Sequence, residues 1–408
     1  MDRSFQMRVD TLSPFALTEA SQPIADWLLR GARDLPDSKA VVSEFGKRLC
    51  AEGFPVFRLF VSLRTLHPQV LAIGLTWRRG QAEAQEVPRA HGILESPQYL
   101  NSPIRLIFEG APMVRRHIEA GAGALDFPIL EDLVKEGCTD YLALPLPFSE
   151  GRMNVVSVAT DRPGGFTPAE LDRFEELMPL LALVIEAKET RRIATTLLET
   201  YLGRDAGRRV LSGLVRRGDG ATIAAALWYC DLRGFTRASE EQPRDEVIAL
   251  LNDWFGCMVG PVHERGGEVL KFIGDALLAI FPIADDLDRD RACLTALEAA
   301  EAALADLDSL NEERIAAGKR PIEMGLALHM GAVMYGNIGA PDRLDFTVIG
   351  PAVNLVTRIE GLCAPLGRRL LASERFATPC GSRLKSIGRH ALRGFAGEQE
   401  IFTLPELA

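Results

Sequence analysis

Apolar positions along the chain change period twice over, once between residues 36 and 187 and again from residue 221 to the end. In the first round, spacings of three and four predict a helix over 39–53, and period-two runs predict strands over 57–63 and 70–77. A helix near 112–120 and strands over 141–147 and 153–160 follow. Thr167-Pro-Ala-Glu170 then carries an N-cap, a proline at the first helical position and a glutamate at the third. It opens a long helix whose Leu171, Phe174, Met178, Leu181 and Ile185 bury one stripe. Helical spacing resumes with Ile193, Leu197 and Tyr201 and breaks at Gly203 and at Gly218-Asp-Gly220, so 188–220 reads as a connector helix and turn. The second round gives a strand over 222–232, a helix over 244–259, a hairpin over 268–281 and a helix over 288–317. Strands over 322–333 and 344–349, a helix over 352–363 and C-terminal strands complete it. The expected organisation is an arm or first helix over 1–35, an α+β domain over 36–187, the connector over 188–220, and a second α+β domain over 221–408.

Composition narrows the function classes. With 408 residues, 47% hydrophobic and 25% charged, the chain can bury two cores. A formal net charge of -10 argues against nucleic acid as partner, because binding a phosphate backbone needs a basic surface that displaces counterions. The arginines at 204, 208, 209, 216 and 217 read as a solvated surface rather than an anion site. Seven scattered cysteines without a C-x-x-C pair indicate free thiols in a reducing compartment. No apolar run reaches the roughly 20 residues of a membrane span, and the first residues lack a secretory apolar core, so the expected location is cytoplasmic.

The candidate chemistry lies in the second domain. Asp231 ends the apolar strand Ile223-Ala-Ala-Ala-Leu-Trp-Tyr-Cys230, and Asp275 follows Gly274 at the tip of the hairpin. Either aspartate alone is more often a turn former. On adjacent strands, however, two such carboxylates would converge, and hard divalent cations take one or two carboxylates together with substrate phosphates. No G-x-x-x-x-G-K-[ST] loop occurs, which removes P-loop enzymes.

Four blocks, Cys230-Asp-Leu-Arg-Gly-Phe-Thr236, Gly266-Gly-Glu-Val-Leu-Lys-Phe-Ile-Gly-Asp275, Gly325-Leu-Ala-Leu-His-Met-Gly331 through Gly336-Asn-Ile-Gly339, and Asp345-Phe-Thr-Val-Ile-Gly-Pro-Ala-Val-Asn354-Leu-Val-Thr-Arg358, resemble the class III nucleotide cyclases in order and spacing over about 222–404. That resemblance implies a ferredoxin-like, palm-type catalytic domain that turns ATP into 3′,5′-cyclic AMP and pyrophosphate. It implies two divalent cations, Mg²⁺ or Mn²⁺, held by Asp231, Asp275 and the backbone carbonyl of Leu232. Lys271 and Thr347 match the purine-selecting pair. A lysine ammonium donates to adenine N1 and a threonine hydroxyl accepts from the 6-amino group, whereas guanine presents the opposite polarity. Asn354 and Arg358, one helical turn apart, match the positions that orient the ribose and stabilise charge at phosphorus. Arg393 matches a less strict contact to the terminal phosphates. The family builds each site from both subunits, so a homodimer is expected.

Gly266-Gly-Glu-Val-Leu270 begins like the GG-[DE]-E-F loop of diguanylate cyclases but departs after its third residue. His329, alone in an apolar strand, reads as a core residue. The segment from Gly137 to the capped helix resembles the closing half of a GAF domain, which implies regulation through the connector helices and leaves open an unknown small-molecule ligand. A guanylate cyclase and a catalytically silent cyclase-like module are the alternative readings.

Overall fold

The computed structural model describes residues 17–119, 125–395 and 397–405. They form two compact units that divide between Leu197 and Leu198. The first contains α1 (Gln22–Arg30), α2 (Ser38–Ala51), β1 (Arg58–Arg64), β2 (Val70–Arg78), β3 (Gln85–Ala90), α3 (Pro97–Leu100), α4 (Pro103–Phe108), β4 (Val114–His117), α5 (Pro128–Lys135), β5 (Asp140–Pro147), β6 (Met153–Thr160) and most of α6 (Pro168–Leu202). Its strands form one antiparallel sheet in the order β3-β2-β1-β6-β5-β4. Alternation along β1 sends Leu59, Val61 and Leu63 into a core shared with Phe45 and Leu49 of α2 and Phe174, Leu177 and Leu181 of α6. The opposite face packs Tyr141, Ala143 and Ala159 against Ile107 of α4 and Leu130 and Leu133 of α5.

Three expectations for this half are corrected. The helix placed near 112–120 is strand β4, paired antiparallel with β5 from Val114↔Ala143 to His117↔Asp140. Gly110, at φ 103°, and Pro112 end helical structure at Phe108, and the short Val-Arg-Arg-His run that follows finds its hydrogen bonds on a sheet edge. The arm drawn over 1–35 includes α1, whose Ile24, Ala25 and Leu28 are buried; residues 1–16 lie outside the described residues. The domain boundary drawn after residue 187 falls inside α6, which runs unbroken from Pro168 to Leu202.

The second unit contains α7 (Arg204–Leu211), β7 (Gly220–Leu232), α8 (Phe235–Glu241), α9 (Arg244–Glu264), β8 (Glu268–Ile273), β9 (Ala276–Ile283), α10 (Asp286–Ala316), β10 (Met324–Ala340), β11 (Arg343–Ile349), α11 (Pro351–Glu360), β12 (Leu370–Ser373), α12 (Glu374–Cys380), β13 (Lys385–Ala391) and β14 (Glu398–Thr403). The sheet order is β13-β14-β12-β10-β7-β9-β8, with β11 paired to β10. Strands β10-β7-β9-β8, taken with α9 and α10, make the βαββαβ unit of a ferredoxin-like fold. One sheet face packs α9 and α10 around Trp228, Trp254 and Met258. The other packs α11 and the β10–β11 arm around Tyr335, Phe346, Val356 and Ile359. The strand expected to end at 333 continues to Ala340, because Val333, Tyr335 and Asn337 keep the buried alternation. No helix among the described residues is long and apolar enough to cross a membrane, and all seven cysteines are free thiols.

Asp140 anchors the first unit. Its side chain is wholly buried, pairs with Arg115 at 2.7 Å, and accepts from the Phe166 amide at 2.9 Å and the Tyr141 amide at 3.0 Å. Replacing it with alanine leaves the Phe166 amide without its acceptor and Arg115 with the Phe166 carbonyl alone in place of a carboxylate. Asp140→Ala is therefore expected to cost about 2 to 3 kcal/mol, read as a lower urea midpoint for the unfolding of this unit, whereas Asp132→Ala on the exposed face of α5 leaves the midpoint in place.

Candidate active site

Strand β7 delivers Asp231 to the rim of the sheet, and β9 delivers the turn that carries Asp275. The register Cys230↔Leu277 sets the two strand ends side by side. Gly274, at φ 65°, supplies the left-handed position of the β8–β9 turn, and Gly234, at φ 71°, does the same where the chain leaves β7 for α8. The wholly buried Trp254 of α9 donates from Nε1 to the carbonyl oxygen of Asp275 at 3.1 Å, which fixes the turn from below. Burial first, then the charge of the neighbouring Asp275 carboxylate, push Asp231 up to about 6. Oδ1 of Asp231 is buried with no partner among the described residues.

A buried acceptor with no donor, beside a second carboxylate, is a poor arrangement for protein alone and a suitable one for a hard divalent cation. The donor set therefore fits Mg²⁺ or Mn²⁺. Among the described residues no cluster of three or more His, Cys, Asp or Glu surrounds it. Backbone carbonyls, water and substrate oxygens must complete any coordination, which is the usual condition of magnesium sites in phosphate chemistry. Leu232 turns its side chain into the core, so only its backbone carbonyl is open to this role.

One neighbour was not legible in the sequence. Glu360, the last residue of α11, points its carboxyl at Gly325, which lies directly across the sheet from Asp231. A Cβ on Gly325 would meet Oε1 of Glu360 at 2.2 Å, so this approach requires glycine. Burial first, then the charge of Asp231, raise Glu360 to about 7, while Arg233 acts in the opposite direction. No motif spacing marks Glu360, because its proximity depends on how α11 crosses the sheet.

The expected base contacts fall on two neighbouring strands. Lys271 projects from β8, and its Nζ lies 2.6 Å from Oδ2 of Asp345 on β11. Thr347 stands two residues further along β11, on the same side of the strand as Asp345. It is 5% exposed, and its Oγ1 has no hydrogen-bond partner among the described residues. Gly350 breaks the chain ahead of α11, and Asn354 and Arg358 lie on that helix's exposed side, opposite buried Val356 and Ile359. Arg393 is exposed in the turn after β13, and among the described residues no hydrogen bond or ion pair joins it to the other candidates. His329 is buried, bonds Ser373 Oγ at 2.7 Å and is lowered to about 4 by burial, so it is a neutral core residue.

The comparisons with known proteins concern this same unit. Residues 221–404 match the family described as adenylate and guanylate cyclase catalytic domain. The chain is 39% identical over 161 residues to an adenylate cyclase of Anabaena cylindrica, covering 38% of this chain and 31% of that protein. It is 30% identical over 202 residues to adenylate cyclase 1 of Rhizobium meliloti, covering 46% and 30%. It thus spans less than a third of the length of these relatives. A solved structure of the adenylyl cyclase CyaB from P. aeruginosa overlays on 45% of this chain and 95% of that one, at 25% identity and a TM-score of 0.42.

The raised carboxyls give a pH signature. Asp231 and Glu360 bind protons more tightly in the folded chain than in the unfolded one, so their contribution to stability is full below about pH 4 and lost as pH rises through 6 and 7. A divalent cation acts the opposite way, since it needs the carboxylates ionised. Added Mn²⁺ is expected to raise the melting temperature of the second unit more at pH 8 than at pH 5. An equal rise at both, or one that persists in Asp231→Asn, would remove the metal from this site.

Proposed function

We propose that the chain is an adenylate cyclase, acting as a homodimer with composite sites and converting ATP into 3′,5′-cyclic AMP and pyrophosphate. The observation that carries this reading is a pair of unfilled polar positions in one fold: the partnerless Asp231 carboxylate oxygen beside Asp275, and the partnerless Thr347 hydroxyl near Lys271. The first suits cations on a triphosphate and the second suits a purine edge. The relatives named adenylate cyclase support the same activity.

In this reading Asp231 and Asp275, with the Leu232 carbonyl, hold two divalent ions. When bound, these ions would acidify the ribose 3′-hydroxyl and neutralise charge on the triphosphate. The 3′-hydroxyl gives up its proton to solvent, its oxygen forms a bond to the α-phosphorus, the bond from that phosphorus to the bridging oxygen of the β-phosphate breaks, and pyrophosphate leaves. Lys271 donates to adenine N1 and Thr347 accepts from the 6-amino group. Arg358 places a fixed positive charge at the pentavalent phosphorus, Asn354 orients the ribose, and Arg393 meets the terminal phosphates. Asn354 and Arg358 face outward from α11, and exposed Phe272, Ile273 and Ile349 sit beside Lys271 and Thr347. Both features suit a second copy of the chain closing each site.

Incubating the purified chain with ATP or GTP and Mn²⁺ tests the activity. Cyclic AMP is the expected product. Asp275→Ala is expected to abolish it, and Arg358→Ala to lower kcat by about 10²- to 10³-fold. Predominant cyclic GMP would favour the guanylate cyclase alternative, and nucleotide binding without turnover would favour a silent module.

The first unit is read as a GAF-like regulatory domain of a cytoplasmic enzyme. A cavity of about 410 Å³ opens on the sheet face opposite α2 and α6, lined by Arg58, Phe60, Ser102, Ile104, Tyr141 and Ser157 among others. Arg58 makes no ion pair among the described residues, and burial, then neighbouring Arg78, lower its pKa. An anionic group on a small, otherwise apolar ligand would relieve that cost. In ligand-observed NMR on the full chain, aromatic carboxylates such as benzoate and indole-3-acetate are expected to bind in preference to their primary amides, and Arg58→Gln is expected to erase the preference. Equal binding of acids and amides, or of acids to both proteins, would exclude an anion site.

A further inference from the structure

Lys271 stands on a strand that the sheet secures on one side only. β8 ends the strand order and pairs with β9 alone, and that ladder shifts register between Val269 and Lys271. An edge strand with a bulge has little of its own to hold a side chain in place. The Lys271 ammonium is paired with Asp345, and the strand itself is tied down by a carboxylate three residues upstream. Glu268 is 9% exposed and has two sets of partners. Its Oε1 accepts from the backbone amides of Asp205 at 3.0 Å and Ala206 at 3.3 Å, in the first turn of α7. Its Oε2 accepts from Tyr335 Oη at 3.1 Å, on β10.

Each partner is itself fixed. Gly203, at φ 93°, turns the chain into α7, and a Cβ there would meet Oε1 of Glu268 at 3.2 Å and the Val269 carbonyl at 3.1 Å. Gly207 of α7 leaves no room for a side chain against the Leu198 backbone. Tyr335 is 1% exposed, packs edge-on against Phe346 with ring centroids 4.8 Å apart, and carries the Arg209 guanidinium over its ring at 5.2 Å. The next residue on β10, Gly336, is the register partner of Thr347. One buried carboxylate thus joins the entry helix, the Lys271 strand and the arm that bears Thr347. All of its acceptor interactions are with N–H or O–H donors, which favour the ionised form, although burial outweighs them and raises its pKa.

We infer that Glu268 is a positioning residue that sets the spacing between Lys271 and Thr347 and ties that spacing to α7. The inference rests on the reading of Lys271 and Thr347 as the purine contacts. Glu268 meets no substrate in this scheme and acts through β8.

The test compares Glu268→Ala, Glu268→Gln and Tyr335→Phe in the full chain, with KM and kcat measured for ATP and for GTP. Glu268→Ala is expected to raise KM for ATP and narrow the ATP-over-GTP ratio of kcat/KM, each by about tenfold, while kcat at saturation moves less. Gln can still accept from the α7 amides and can donate to Tyr335 Oη, so Glu268→Gln should restore most of both. Tyr335→Phe cuts only the link to β10 and serves if the alanine variant does not fold; it should move KM and selectivity in the same direction and by less. If folded Glu268→Ala or Tyr335→Phe keeps wild-type KM and selectivity, or loses kcat alone, the inference fails while the cyclase reading stands. If the wild-type chain forms no cyclic nucleotide, the functional reading fails and takes this one with it.

Discussion

Two carboxyl groups of like charge, Asp231 and Asp275, are held side by side at one end of a buried sheet, against their mutual repulsion and the cost of leaving water. The register of β7 with β9 places them, and Trp254 keeps the turn beneath Asp275 from moving away. Most of what surrounds them can be understood as the support this unfavourable arrangement needs. The ferredoxin-like sheet brings the two strand ends together, and the α9–α10 layer gives Trp254 a rigid seat in the core. In the proposed reading, where cations fill it, such a site is costly when empty and favourable when filled, which is the electrostatic form of preorganisation.

The other half of the second unit solves a different problem. In the proposed reading, purine selection needs two polar groups held at a fixed spacing, and Lys271, one of them, sits on an edge strand. The Lys271–Asp345 pair bridges β8 to β11, and the partners of Glu268 reach α7 and β10. These side-chain contacts tie the edge strand to elements other than β9.

How much of this could be read from the sequence depended on the range of the interactions. Asp231, Asp275, Lys271 and Thr347 could be named as candidates because each lies in a block contiguous in the sequence, and elements with strong periodicity, such as α10 and β9, fall within a few residues of expectation. The segment near 112–120 reads as a helix in the sequence, since the four residues of β4 are too few to distinguish an edge strand. The joint between α6 and the connector was drawn as a boundary because its apolar spacing weakens there, yet the backbone continues as one helix. Glu360, Asp345, Trp254 and Glu268 carry no local signature. Their partners lie from 21 to 74 residues away in the chain where the hydrogen bonds are direct, and only the folded sheet brings them together.

The close approach of Glu360 to Gly325 makes the identities of two distant positions interdependent. With glutamate at 360 a methyl group at 325, opposite Asp231, comes within 2.2 Å of a carboxylate oxygen, and with a shorter residue at 360 it would still press on the Cβ of Cys363 at 3.0 Å. Neither position can therefore drift alone: a methyl group arriving first at 325 meets a carboxylate oxygen, and truncation arriving first at 360 leaves a void next to a buried acid.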